Sequence, residues 1–435
     1  MQRLNKLSGL FLFIGLILTI GNEFFSLTPR WLEGLFVWVA GLILFVDLAV
    51  KQKKVISTIA LFAFVSWVLA WILGDVSNLA SALTTNQSMI VMLMGVQFLQ
   101  LVAIPKGEVD ESLPMGKKAF IKTYLGVHFF GSVINLSSVM LVADRLVASK
   151  PLTQQQQMLL TRAFSSAANW SPFFAAFAAA MVFAPDASLI VLVPAGFALA
   201  CVACLISYLD VLKVGEHSLK DFVGYPIHFQ ALWLPVVLVC FVIVAHYLIP
   251  TAKVIVLIAL CAVLISVIVL IARSGLFKAN IGLKRHVLIT LPAMKNELLL
   301  FLIAGVFGAG LAAVLDALSI SVPFVEFNGV VASVLLLAMF VLAILGVHPV
   351  ISIAVIGHWL VDMEPNQTLL AMMFLMSWAL GVSTSPISGM NLALQGRYGV
   401  SGRDIFKWNL PYAIKMYVIG CMVLLSSSYL LGIGQ

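Results

Sequence analysis

The sequence predicts an all-α polytopic membrane protein: roughly eleven transmembrane helices plus two re-entrant hairpins in an inverted-topology repeat. Three observations predict it. The chain of 435 residues is 62% hydrophobic and 10% charged, with mean hydropathy +1.10, whereas a soluble domain carries roughly 25% charged residues. Apolar runs of spanning length follow one another from end to end. And two polar interruptions fall where an unbroken spanning helix would otherwise be drawn. One is Ser165-Ser166-Ala167-Ala168-Asn169-Trp170-Ser171-Pro172, the other Gly381-Val382-Ser383-Thr384-Ser385-Pro386-Ile387-Ser388-Gly389-Met390-Asn391. Proline removes a backbone donor and disfavours helix at the residue before it. In hydrocarbon each unpaired backbone group costs several kcal/mol, so a broken helix survives only against protein or a water-lined cavity. The motif occurs twice, about 215 residues apart, and a pair of broken helices in corresponding halves points to a transporter binding site.

Spans are expected near 7–25, 31–50, 55–73 and 83–104, then a hairpin-like stretch over 116–146 and a broken helix over 156–184. Further spans lie near 187–210, 227–249, 252–273 and 296–317. A second hairpin-like stretch covers 326–362, a second broken helix 366–395, and a last span 408–432. The first apolar run lacks a small-residue cleavage site and is expected to be retained as a helix. All five cysteines (Cys201, Cys204, Cys240, Cys261, Cys421) fall inside apolar runs. Cys201-x-x-Cys204 has no flanking histidine, so it reads as two small apolar residues rather than a redox or metal pair.

The net charge of +7 reports orientation rather than nucleic acid binding. Lys and Arg gather before the first run (Arg3, Lys6) and after the second (Lys51, Lys53, Lys54). They gather again at Lys106, Lys117, Lys118 and Lys122, at Lys213 and Lys220, through Arg273 to Lys295, and at Arg397, Arg403 and Lys407. These loops are expected to be cytoplasmic. The opposite loops hold Glu23, Asp75, Asp186, Asp316, Glu326, Asp362 and Glu364, with only Arg30 and Lys253 as bases. Both ends of 116–146 are then cytoplasmic and both ends of 326–362 external, so each stretch must enter and leave by one face. Their tips fall near Gly131 to Ser138 and at Gly346-Val347-His348-Pro349. The N-terminus is expected inside and the C-terminus outside.

The two halves align in order at the same spacing: 83–104 with 296–317, Gly131 with Gly346, Ser171-Pro172 with Ser385-Pro386, and 187–210 with 408–432. Corresponding elements enter from opposite faces, which is an inverted repeat. The expected organisation is an N-terminal helix (1–30), a first repeat (31–215) and a second repeat (216–435).

In this order of elements the chain resembles the ion transporter superfamily, and most of all its divalent anion:sodium symporter branch. That resemblance implies eleven helices, two opposed hairpins, two unwound helices, an elevator-like transport step and a homodimer. The branch's Ser-Asn-Thr tip signature is absent. The first tip carries Asn135-Leu136-Ser137-Ser138, similar in chemistry; the second, Gly346-Val347-His348-Pro349, has neither Asn nor Thr.

The candidate binding residues are Asn135, Ser137 and Ser138 at the first tip, and Ser165, Ser166, Asn169, Trp170, Ser171 and Pro172 at the first break. Gly346 and His348 form the second tip; Ser383, Thr384, Ser385, Pro386, Ser388 and Asn391 form the second break. Unwound helix ends offer amide donors to anions and carbonyls to cations, and hydroxyls and amides add neutral ligands. Such residues also serve helix packing, where small side chains let backbones approach. Trp170 fits either a pocket wall or a hairpin anchor. His348 fits either a proton-coupling or substrate contact, or a neutral ring held by the backbone; His128, on a hairpin arm, ranks below it. Arg162 is expected to snorkel at the end of its helix.

No carboxylate lies in either tip or either break, which argues against cation/proton antiport. The expected function is a secondary active transporter of a small organic or inorganic anion in the inner membrane of a bacterium, coupled to Na+ or H+. The alternative is an exporter of a neutral or amphipathic small molecule on the same fold. An intramembrane enzyme would need a nucleophile–base pair or a metal set, and neither is evident. No cofactor, catalytic residue or resident metal is expected, and the partners are a small-molecule substrate and the lipid bilayer.

Overall fold

The structure, a computed structural model, describes residues 2–74, 82–103, 113–148, 150–214, 219–225, 233–320 and 322–433. Asp75, Lys106 and the 215/216 repeat boundary lie outside these residues. Among the described residues there is no strand. A lone antiparallel bridge, Met115 with Val223, ties the start of the first hairpin-like stretch to the segment 219–225. Among the described residues seven helical segments are long and apolar enough to cross a membrane, and further apolar helices are shorter, so the chain is a helical multi-pass membrane protein.

The helices follow the apolar runs. α1 (Gln2–Phe25), α2 (Arg30–Phe45) and α3 (Val50–Leu73) form the N-terminal group. The expected span 83–104 is interrupted: α4 (Gln87–Gln97) stops at Phe98-Leu99 and a single turn, α5 (Gln100–Ala103), resumes. α6 (Lys117–Ile134) and α7 (Leu136–Val147) meet at Asn135, whose φ of +53° breaks the helix in one residue. The chain folds back there, since a side chain on Gly131 would sit 3.2 Å from Ser138 Oγ. α8 (Gln154–Ala167) begins in a capping box, with Thr153 and Gln156 satisfying each other's end amides. It breaks over 168–174 and continues as α9 (Ala175–Phe183), followed by α10 (Leu189–Val211).

The second half begins with α11 (Trp233–Leu248) and α12 (Val254–Arg285), kinked at Gly275. A π-helical stretch (His286–Thr290) and a short turn α13 (Leu291–Ala293) lead into α14 (Lys295–Ala317). The run expected over 252–273 therefore continues, past the kink, well beyond its apolar part. α15 (Gly329–Ile344) and α16 (Pro349–Trp359) flank the second tip, where Gly346 adopts φ +105°, a conformation that favours glycine. Pro349 opens α16 at the position where its missing N–H costs nothing. α17 (Gln367–Thr384) breaks at Ser385, α18 (Gly389–Tyr398) resumes, and α19 (Gly402–Leu430) ends the fold.

The core lies around the broken helices. α17 is apolar on all sides and buried almost throughout, as an apolar-all-round helix must be. α3 and α11, by contrast, expose Phe62, Phe64, Trp71, Phe241 and Ile243, the residues a lipid-facing surface calls for. Neighbour relations recur between the halves. α6 packs on α8 as α15 packs on α17; α8 packs on α10 as α17 packs on α19. Each of α10 and α19 also touches the broken helix of the other half, and α8 and α17 touch one another.

Candidate functional site

Both breaks occur where the Ser-Pro steps place them, and their polar residues are mostly spent on holding the breaks. At the first, Ser165 and Ser166 hydroxyls return to the carbonyls of Arg162 and Ala163, and the Asn169 amide donates to Ser166 O at 3.2 Å. Ser171 Oγ donates to Ser132 O on α6 at 2.6 Å, so the break is fastened to the first helix pair immediately before Pro172. Trp170 Nε1 donates to His128 Nε2 at 3.0 Å. The ring proton of His128 is thereby placed on Nδ1, which donates to Ser166 Oγ (2.9 Å) and Ala163 O (3.1 Å). Trp170 is an anchor between the break and α6, and His128, ranked low from the sequence, is what it holds.

At the second break, Ser383 Oγ bonds Leu380 O and meets Thr384 Oγ1 at 3.1 Å. Ser388 caps α18 and also donates to Val382 O. Asn391 bridges the gap: its amide donates to Val382 O (3.2 Å) and Ser385 O (2.9 Å). Gln395 Nε2 reaches back to Pro386 O at 2.5 Å. Carbonyls freed by the unwinding are thus re-satisfied by side chains, the condition for a break at membrane depth.

Between these elements lies a cavity of about 1010 Å³. Asn135, Ser137 and Ser138 line it from the first tip and His348 from the second. Phe174 and Ala175 border it from the first break, Val382, Gly389 and Met390 from the second. Its wall is largely apolar, with Phe130, Ile134, Leu141, Phe164, Phe301 and Trp378 prominent. Of the sequence candidates, Ser165, Ser166, Asn169, Trp170, Ser171, Pro172, Gly346, Ser383, Thr384, Ser385, Pro386, Ser388 and Asn391 are absent from the lining and stand behind it. His348 Nδ1 accepts the Val350 N–H at 3.2 Å, which leaves the Nε2 proton of the neutral ring as a donor. The ring packs edge-on against Phe301 and Trp378, with centroids 6.3 and 5.3 Å away.

Polar and charged lining residues outside the sequence candidates are Gln97, Gln100, Asp144, Arg145, Tyr225, Thr290, Glu297 and Arg397. Gln100 donates to Gln97 and reaches Ser137 Oγ at 3.5 Å, tying the α4–α5 interruption to the first tip. The signal for the pair was a Gln-x-x-Gln at the end of an apolar run. Glu297 falls just inside the run expected over 296–317 and lies in the first turn of α14. At the cavity edge Arg397 pairs with Asp144 at 2.7 Å, and Tyr398 OH donates to the other Asp144 oxygen at 2.8 Å, joining α18 to α7.

Arg162 departs from expectation. It is 1% exposed and does not snorkel. Its guanidinium donates to Asn409 Oδ1 (2.9 Å), Asp210 Oδ2 (3.1 Å) and Trp408 O (2.8 Å), and lies 4.5 Å from the centre of the Tyr412 ring. It welds α8 to α10 and α19.

No group of three or more metal-ligating side chains occurs among the described residues. Neither family models nor curated proteins yield a match to this chain.

Proposed function

We propose that the chain is a secondary active transporter, with two inverted repeats that alternate access to one central cavity. The observation that carries the reading is convergence: both tips and the flanks of both breaks border the same cavity, although they arise from segments as far apart as Asn135 and Met390. The recurring neighbour relations between the halves support a repeat. On this reading α6–α7 and α15–α16 are re-entrant hairpins, and the helices around them form a moving part. The elevator-like step, the homodimer and coupling to Na+ or H+ rest on the family resemblance alone. The apolar wall and the volume favour the amphipathic or neutral organic substrate over a small inorganic anion. The small-anion reading keeps one support: the Asn135 amide, the Ser137 hydroxyl and the His348 Nε2–H converge on the cavity as neutral donors.

The test is flux. Protein reconstituted in liposomes should move amphipathic organic solutes only when a Na+ or proton gradient is imposed. Flux that ignores both gradients, or none across a broad panel, removes the transporter reading. Cysteine labelling checks the hairpins independently: positions near Lys117 and Lys150 should react from one side and those near Asp362 from the other. Opposite-side labelling of 117 and 150 would abolish the first hairpin.

A further inference from the structure

The cavity lining holds a carboxylate, Glu297, that forms no ion pair among the described residues. The charged lining residues are Asp144, Arg145, Glu297 and Arg397. Arg397 and Tyr398 occupy both oxygens of Asp144, and Arg145 has an interaction of its own. Lys295, two residues from Glu297, is turned away to Asp47, whose carboxylate and carbonyl it binds at 2.5 and 2.8 Å. Among the described residues the Glu297 carboxylate meets only its own backbone N–H at the start of α14, and no side chain of another residue pairs with it. One turn further along α14, Phe301 shares its face and belongs to the aromatic group with His348 and Trp378.

We infer that Glu297 and the Phe301–Trp378 wall receive the positive end of an amphipathic organic cation. The inference rests on the reading of the cavity as the substrate site. A guest that expels water from the cavity and offers no positive charge would strand the carboxylate at a desolvation cost. A cation compensates it, and the aromatic faces attract the same charge through their quadrupoles. The bulk of the apolar lining then takes the hydrophobic body. An anionic guest meets this carboxylate as a like charge.

The experiment compares tetraphenylphosphonium with tetraphenylborate, which share shape and differ in sign, on purified protein in nanodiscs, with empty nanodiscs subtracted. The phosphonium should bind saturably, and the borate about tenfold more weakly or worse. Glu297→Gln should weaken phosphonium binding by about tenfold, with a thermal unfolding profile little changed because no ion pair to another residue is lost. Glu297→Asp should retain part of the binding. Equal binding of the two ions, or phosphonium binding unaffected by Glu297→Gln, overturns the inference. A neutral probe, N-phenyl-1-naphthylamine, separates the levels. If it binds while the phosphonium holds no advantage, the charge assignment fails and the transport cavity stands; if none of the three binds, both fail.

Discussion

Removing Asp210 should destabilise the protein more than any surface ion pair could explain. Arg162 is 1% exposed and Asp210 14% exposed, and their contact spans α8 and α10. In Asp210→Ala the guanidinium keeps only neutral partners: Asn409 Oδ1, Trp408 O and the Tyr412 face. Lys415, bound to the other Asp210 oxygen at 2.5 Å, loses its anion as well. Breaking a buried pair by deleting one partner costs about 3–5 kcal/mol, because an uncompensated charge remains. Arg162→Met leaves Asp210 with Lys415 but strands two neutral acceptors at about 1–3 kcal/mol each. The double variant Arg162→Met, Asp210→Ala removes both charges and should cost less than the two single changes together, by about 0.5–3 kcal/mol of coupling. Denaturant-induced or thermal unfolding in detergent micelles measures all three. A cost of about 1 kcal/mol or less for Asp210→Ala, the range of an exposed pair, would refute the buried network and restore the snorkelling arginine.

Other perturbations address the breaks and the N-terminal group. Pro172→Ala and Pro386→Ala restore a backbone donor at each break; both should insert and fold, yet lose substrate affinity as well as rate in uptake and binding measurements, and normal binding in both would show the prolines to be packing kinks. Gly196→Ala places a methyl 2.0 Å from Asn169 O and 2.7 Å from its carbonyl carbon, so α10 must move off the first break. The expected cost is about 1–3 kcal/mol, read as a lowered Tm together with loss of transport; an unchanged Tm would contradict that contact. Lys295 and Asn5 hydrogen bonds hold the Asp47 carboxyl below its ordinary value. A depressed carboxylate stabilises the fold above its unfolded-state pKa, and that contribution is lost as pH falls through the folded-state value. Asp47→Asn should therefore lower Tm at neutral pH, with the gap to the native protein closing in acid; a gap independent of pH would rule the ion pair out.

What the sequence determined by itself was chemistry local to a few residues. Composition sets the solvent, since a chain so poor in charge cannot cover a water-facing surface. Ser-Pro steps at 171–172 and 385–386 break their helices wherever they are placed, because a missing N–H and a ring clash need no distant partner. Asn135 at the first tip and Gly346 at the second ended their helices for similarly local reasons, seen as positive φ in both. The tertiary structure decided which polar groups face the cavity and which hold the backbone. Ser171 fastens its break to a carbonyl of α6 and Asn391 satisfies carbonyls at its own, whereas Gln97, Gln100 and Glu297, ordinary by their neighbours in sequence, arrive at the lining through helix packing. Arg162 makes the same point most sharply. Its position near a helix end allowed snorkelling, but Asn409 and Trp408, nearly 250 residues away, supply acceptors that only α19 packing can deliver. A side chain's direction follows from which helix lies beside it, and that is a long-range outcome of burying apolar faces, which periodicity along one helix does not encode.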